Sequence, residues 1–489
     1  MAENVSFNEV PDNIRVPGIY IEIDPSKAVS GGAVMERRLL LIGQRLASGT
    51  APAGVAMRLG SQAGDQAAQA FGQGSMLHGM AKAARGASDY VDLWAIALDD
   101  DPAGVAAIGS VTLTGSPTTS GTLALYIGGK VVRAMVVAGD AASAIASRLA
   151  DAISADADLP VTAAAELGVV TLTCRWKGET GNDLDLRLNY YGEQTPAGLT
   201  VAIAAMTGGT ANPSVQPVLD AIAGTQYYSI ACPYLDGANL TALEGEMAAR
   251  FGPMDVLTGH VFNAKVGNHA ALTTWGSERN SPHLSTLGLY DMPTAPWVAA
   301  AAWATVAEFS GANDPARPFR SLALPGVLPP PEKSRFTRAE RNLLLYDGIS
   351  TFTVDAGGQV LIETVITNYQ VNSFGLPDIA LLRLETKWTA DFIRFRFNAA
   401  VARDYPRHKL GDVAIPGQAY ATPTTVRATL IAEAEKLAKE DGVLEDLEGF
   451  KRDLILKRST QNPNRMNAVL TPNLVNQFDI FAAAVQYRL

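Results

Sequence analysis

A chain of 489 residues with 47% hydrophobic content, 44 glycines and 27 prolines is long enough for about three units with buried cores, and its composition is not that of a disordered chain. A net charge of −10 argues against general nucleic-acid binding, and two cysteines, Cys174 and Cys232, are too few for a disulfide scaffold, so free buried thiols in a reducing compartment are expected. The first residues lack the basic and apolar regions of a secretory leader, and the longest near-apolar run, Trp297 to Ala307, is too short for a bilayer span; the expectation is a cytosolic product without membrane insertion.

The chain opens on Asn4-Val-Ser-Phe7, a short extended piece that Pro11-Asp12-Asn13 breaks. A second strand follows in which Ile19, Ile21 and Ile23 alternate with Tyr20, Glu22 and Asp24. Arg38 to Gly43 reads as a buried strand, Gln62 to Phe71 and Met76 to Arg85 as helices, and Tyr90 to Leu98 as another strand, which together imply a parallel βαβ unit.

After Asp99-Asp-Asp-Pro-Ala-Gly104 the composition changes. Residues 105–210 are rich in Thr, Val, Gly and Ala, with six strand-like runs and one helix at about 141–154, and they read as a mostly β domain inserted in a surface loop and lying on the outside of the protein. Alternating helices and strands resume from Val215 to Phe309, so the flanking pieces form one α/β core, and Leu328-Pro-Pro-Pro331 marks its exit.

Beyond that exit come a helix at Thr337 to Tyr346, a hairpin of 351–355 and 360–364, and a long helix opening at Asp378. Leu381, Leu384, Trp388, Phe392, Phe395, Ala399 and Ala402 give this helix an apolar stripe, and Arg383, Lys387, Asp391 and Arg394 fall on a separate, mainly basic face. A charged helix, Thr425 to Lys439, leads to the last strand. There Phe481, Ala483, Val485, Tyr487 and Leu489 share one face. Periodicity alone admits two readings of the terminal strands, as edges of the molecule's own sheet or as strands exchanged between identical subunits by β-augmentation.

The expected fold class is therefore α/β and α+β multi-domain: an α/β sandwich core (19–104 and 211–330), an inserted β-rich outer domain (105–210), a C-terminal α+β inner domain (331–470), and extended arms at 1–18 and 471–489. Residues 330–489 hold 20 Lys and Arg against 19 Asp and Glu, while residues 1–329 hold 19 against 30, so the acid sits early. An α/β hydrolase-like enzyme is the competing class, but the chain has no Gly-x-Ser-x-Gly elbow, no His-Glu-x-x-His and no phosphate-binding Gly-x4-Gly-Lys-Ser/Thr loop. His260, His269 and His283 are not spaced for one helix face, and Asp99-Asp100-Asp101 reads as an acidic turn before a metal site. No catalytic, metal or cofactor-binding residue is expected.

Val16-Pro-Gly-Ile-Tyr-Ile-Glu-Ile-Asp24, Arg279-Asn-Ser-Pro-His283 and Pro463-Asn-Arg-Met-Asn-Ala-Val-Leu470, together with the final strand, resemble contractile phage tail sheath proteins, those of Mu-like phages in particular. The resemblance runs along nearly the whole chain in order. It implies a homo-oligomer of hexameric rings stacked helically around a tail tube, with baseplate and tail terminator proteins as further partners, a place in the virion, and assembly in the bacterial host cytoplasm. A sheath from a phage-derived contractile injection system or a bacteriocin is the nearby variant of this reading.

In that family the arms join strands in neighbouring subunits, which makes Val5, Phe7, Phe481, Val485, Tyr487 and Leu489 the expected exchange residues. Arg383, Lys387 and Arg394 are the expected contacts to the tube.

Overall fold

The computed structural model describes residues 35–488. In chain order the core opens with β1 (Leu39–Gln44), β2 (Ala56–Leu59), α1 (Ala63–Phe71), α2 (Met76–Ala87) and β3 (Leu93–Leu98). The insertion holds β4 (Ile108–Gly115), β5 (Gly121–Ile127), β6 (Lys130–Val136), α3 (Ala142–Ala155), β7 (Val161–Glu166), β8 (Val169–Cys174), β9 (Leu186–Leu188) and β10 (Leu199–Thr207). The core resumes with α4 (Gln216–Ala221), β11 (Ser229–Ala231), α5 (Gly237–Phe251), β12 (His260–Val266), α6 (His269–Ser277), β13 (Leu284–Leu289) and α7 (Pro296–Asn313). Then come α8 (Arg338–Tyr346), β14 (Ile349–Val354), β15 (Val360–Thr364) and α9 (Leu384–Asp404). The C-terminal part adds β16 (Lys409–Leu410), β17 (Tyr420–Ala421), α10 (Pro423–Lys439), β18 (Leu444–Glu445), α11 (Leu447–Asp453), β19 (Ile455–Arg458), β20 (Met466–Val469) and β21 (Asn473–Leu474).

Eight strands form the core sheet in the order β15-β14-β13-β12-β11-β1-β3-β2. Its six central strands run parallel, and β2 and β15 pair antiparallel at the two edges. Every residue of β1 is buried, which is why an unbroken apolar run rather than an alternating one marks this strand. Helix α7 is apolar almost all round and correspondingly buried, packing with α2 against β1, β11 and β12. Ser75 starts α2 by accepting a hydrogen bond from the His78 N–H at 3.1 Å.

The hairpin β14–β15, expected in the C-terminal domain, instead completes the core sheet, with β14 running parallel to β13. The proline run at 328–331 is a half-buried connection within the core and not its end. A separate apolar cluster built on Ile393, Phe397, Val426, Leu430, Leu437 and Phe450 marks the C-terminal part, where the Phe397 and Phe450 rings stack at 5.6 Å.

The insertion closes at its neck. Val105 and Thr210 exchange backbone hydrogen bonds of 3.1 and 3.2 Å, so the chain leaves and re-enters the core at one point. Its strands form a four-stranded sheet, β10-β4-β8-β7, and a three-stranded one, β6-β5-β9. Strand β7 was not expected, because its Thr-Ala-Ala-Ala-Glu carries little β propensity of its own. The insertion is not a loosely tethered module. Trp176 meets the core's Trp297 edge to face at 5.2 Å, both rings buried, and insertion and core residues belong to one continuous hydrophobic cluster. Around that contact Arg187 pairs with Asp291 at 3.1 Å, Lys82 with Asp158 at 2.6 Å, and the Tyr190 hydroxyl donates to the Pro329 carbonyl at 2.7 Å.

A shared core makes insertion and core unfold together. Trp176→Ala, which empties a buried aromatic site, is expected to cost about 3–5 kcal/mol and to lower a single unfolding transition in calorimetry. Two separate transitions with only one of them shifted would contradict the shared core.

Candidate assembly site at the root of the C-terminal arm

Helix α9 organises this region. The sequence pattern places its start at Asp378, but the helix begins at Leu384, because residues 382–384 are tied by backbone hydrogen bonds to 365–367: Thr367 N–H to the Leu382 carbonyl at 2.8 Å and Leu384 N–H to the Val365 carbonyl at 3.3 Å. Its first turns are buried on nearly every side, with Glu385, Lys387 and Asp391 as deeply enclosed as Leu384 and Trp388.

Lys387 is therefore not a surface contact for a tube. Its side chain is 1% exposed, and its Nζ donates to the Gly259 carbonyl at 3.3 Å and lies 3.7 Å from the Asp391 carboxylate. Burial pushes the Lys387 ammonium down and the Asp391 carboxyl up, each against its charged form. Arg394 lies on the ring of Phe251 at 4.3 Å, donates to the Phe251 carbonyl at 2.8 Å and sits 3.7 Å from Asp391. The mainly basic face that supplies the expected tube contacts forms, at Lys387, Asp391 and Arg394, an internal ionic seam. Its partners across the seam are core groups: His283, held down to about 3 by burial and by Lys387, and His260, held well below its ordinary value mainly by burial and bonded to the Ser285 hydroxyl at 2.8 Å. His260 and His283 are thus neutral core residues, while His269 lies near the Glu340 carbonyl at 3.2 Å.

Arg383, immediately before α9, has a different role. Its Nη2 is 3.0 Å from the Asp479 carboxylate and 3.4 Å from Glu385, and its Nη1 donates to the Thr364 hydroxyl. Arg320 donates to the Asp479 carbonyl at 2.8 Å, and Gln477 donates to the Ala316 carbonyl at 3.3 Å. The two arginines hold the root of the C-terminal arm. Arg320, Gln477 and Asp479 carry no signal in the sequence except that Asp479 is the one charged residue among Phe478, Ile480 and Phe481.

Past that clamp the chain is open. Among the described residues from 473 to 488, strand pairing is limited to Asn473–Leu474 on β18, and residues 480–488 make no hydrogen bond to any other described residue. Phe481, Val485 and Tyr487 are 79%, 90% and 81% exposed. Among the described residues, 475–488 belong to no sheet. Val5, Phe7 and Leu489 lie outside the described residues.

At the other end of α9 an apolar groove of about 660 Å³ opens between the helix and the β19–β20 ladder, lined by Ile393, Phe397, Val401, Leu430, Met466 and Leu470 among others. That ladder is a two-stranded sheet, with Ile455 49% and Val469 54% exposed.

The remaining chemistry-bearing residues are dispersed. Asp99 pairs with Arg45 at 2.7 Å, Asp100 accepts from Gln44 at 2.7 Å, and Asp101 accepts from the Ala103 N–H at 2.8 Å, so the three acids face three different partners. Among the described residues no group of three or more His, Cys, Asp or Glu could hold a metal ion, and no helix is long and apolar enough to cross a membrane. Cys174 and Cys232 are buried free thiols, pushed up to about 12 by burial.

The seam predicts what a charge reversal does. Lys387→Glu places a second carboxylate beside buried Asp391 and is expected to destabilise the subunit by on the order of 3–5 kcal/mol, read as a lower urea midpoint. An unchanged midpoint would mean that Lys387 is not enclosed.

Comparison with known proteins identifies the family. Residues 208–368 match the phage tail sheath protein central domain and residues 377–488 the phage tail sheath C-terminal domain. The chain is 40% identical over 490 residues to the Mu-like prophage FluMu tail sheath protein of Haemophilus influenzae, covering 99% of this chain and 100% of that protein. Among solved structures, a sheath tail protein from Desulfitobacterium hafniense aligns over 94% of this chain and 100% of its own at 14% identity and a TM-score of 0.48. A chain of the anti-feeding prophage baseplate aligns over 97% of this chain and 100% of its own at 12% identity and a TM-score of 0.46. On the full-length sequence match, this chain belongs to the phage tail sheath proteins, a family of structural proteins and not of enzymes.

Proposed function

We propose that the chain is the repeating subunit of a contractile sheath, polymerising as stacked hexameric rings around the tail tube and contracting to drive that tube through the host envelope during genome delivery. It assembles in the host cytoplasm, between baseplate and terminator proteins, and remains in the virion. The observation that carries this reading is the arm: an alternating apolar segment, anchored at Asp479 and exposed beyond it, that would gain its main-chain and side-chain partners from another copy.

The β19–β20 ladder suits the acceptor role, since it flanks the apolar groove. A two-stranded sheet is marginal by itself, and added strands would extend it while covering the groove beside it. Burying Phe481, Val485 and Tyr487 there contributes roughly 1.5–3 kcal/mol for each side chain fully enclosed. Subunits joined in this way stay connected while their cores rotate and move outward, because the clamp at Arg383 and Arg320 fixes the arm to the core. Val5 and Phe7 of the N-terminal arm take the same role from the other end of the chain. The enclosed Lys387 is not carried forward as a tube contact, and Arg383 and Arg394 are already engaged within the subunit.

Removing residues 480–489 leaves the clamp and every core contact in place. The truncated subunit is expected to melt as the full chain does, since exposed positions contribute within about 0.5 kcal/mol, but to form no tubes or rings in negative-stain microscopy. Normal polymerisation of the truncated chain would overturn strand exchange by this arm.

A further inference from the structure

A second feature projects beside the arm root. Residues 370–378 form a tight loop in which the Asn372 N–H donates to the Leu376 carbonyl at 2.9 Å, the Asp378 N–H to the Gln370 carbonyl at 3.0 Å, and Val371 pairs with Pro377 across the loop. The Asn372 carboxamide oxygen accepts from the N–H groups of Phe374 and Leu376 at 3.0 and 3.2 Å, and Gly375 takes the positive φ of +74° that the turn requires. The loop is fastened to the core as well. Asn280 accepts from the N–H groups of Gln370 and Val371 at 2.8 and 3.1 Å and donates to the Val371 carbonyl at 2.9 Å, and the Gln370 carboxamide donates to the Gly276 and Arg279 carbonyls, both at 2.9 Å.

This ordered finger, with Ile379 at its base, points large apolar side chains at solvent: Phe374 is 86%, Leu376 61% and Ile379 78% exposed. The only charged side chain within the loop, Asp378, is engaged by the Tyr369 hydroxyl at 2.6 Å. A loop whose backbone is held while three large apolar side chains stay in water is pre-organised for association, because little conformational freedom remains to be lost on binding.

We infer that the finger is an intersubunit contact, covered by the same second copy of this chain that receives the C-terminal arm. The inference rests on the strand-exchange reading, and two observations choose the occupant. Ile379 is four residues from Arg383, so the base of the finger lies within about 14 Å of the arginine that clamps Asp479. In addition, three side chains can cover only on the order of 400 Å², against the roughly 1,200–2,000 Å² of a stable interface. The finger therefore adds to a larger contact, and the arm beside it supplies one. Its uncharged apolar tip fits an apolar protein surface.

The test uses the full-length protein. In Phe374→Asp combined with Leu376→Asp, the critical concentration for sheath polymerisation without tube is expected to rise about tenfold or more, with the melting curve of the unassembled subunit unchanged. A second variant, Phe374→Cys labelled with a benzophenone maleimide, exploits the burial of both native thiols. In assembled particles it is expected to give sheath–sheath adducts. An unchanged critical concentration, or adducts with tube protein alone, would overturn the inference. Failure of the strand-exchange reading would appear separately, as polymerisation of the chain lacking residues 480–489.

Discussion

The packing of Trp388 is the constraint on which the architecture depends. Its fully buried ring, on the second turn of α9, meets Tyr228 at 5.1 Å, Phe319 at 5.5 Å and Phe262 at 6.1 Å, while the Arg37 guanidinium lies 3.8 Å over the Tyr228 ring and 4.8 Å from that of Trp388. Gly311 of α7 is required beside it, since a Cβ there would run into the indole. This contact pins α9 into the core. The helix then works as a beam: its start holds the arm through Arg383, its second turn is locked against Tyr228 and against Phe262 of β12, and its last turns wall the apolar groove. Arm, core and groove are thereby kept in fixed relation within one subunit.

Charge reinforces the pin at some cost in stability. Arg37 reaches Glu308 through two hydrogen bonds of 2.8 and 3.2 Å, Ser229 donates to the same carboxylate, and Lys387, Asp391 and Arg394 continue the seam. Enclosed ion pairs add little net stability, because desolvation offsets their attraction, but separating them is expensive. Such a seam resists sliding of α9 more than it strengthens the fold. In the contractile assembly proposed above, a joint that does not slip would keep movement at the boundaries between subunits.

How much of this was legible in the sequence follows from which interactions are local. Strand β1 and helix α7 were readable because burial on all sides leaves an unbroken apolar run. The neck of the insertion was readable because Asp-Pro-Ala-Gly and Thr-Gly-Gly-Thr flank a change in composition, and Val105 and Thr210 do meet there. The basic face of α9 was misread, because a lysine enclosed against a carbonyl and an aspartate has the same letter as one in water. The proline run at 328–331 reads as a boundary, although the hairpin beyond it returns to the sheet. The clamp at Asp479 joins residues 96 and 159 positions apart in the chain, and no periodicity reports such a pairing. The terminal alternation was visible, but only the three-dimensional fold shows that most of the strand has no ladder to join among the described residues.

The central claim is that residues 480–488 acquire their sheet from another subunit. Amide hydrogen exchange of that segment, measured in the unassembled subunit and in the assembled sheath, tests it most directly. The account predicts exchange at the rate of an unstructured peptide before assembly and strong protection afterwards, with the amides of β1 protected in both. Protection of 480–488 already present in the isolated subunit, or its absence from the assembled sheath, would contradict it.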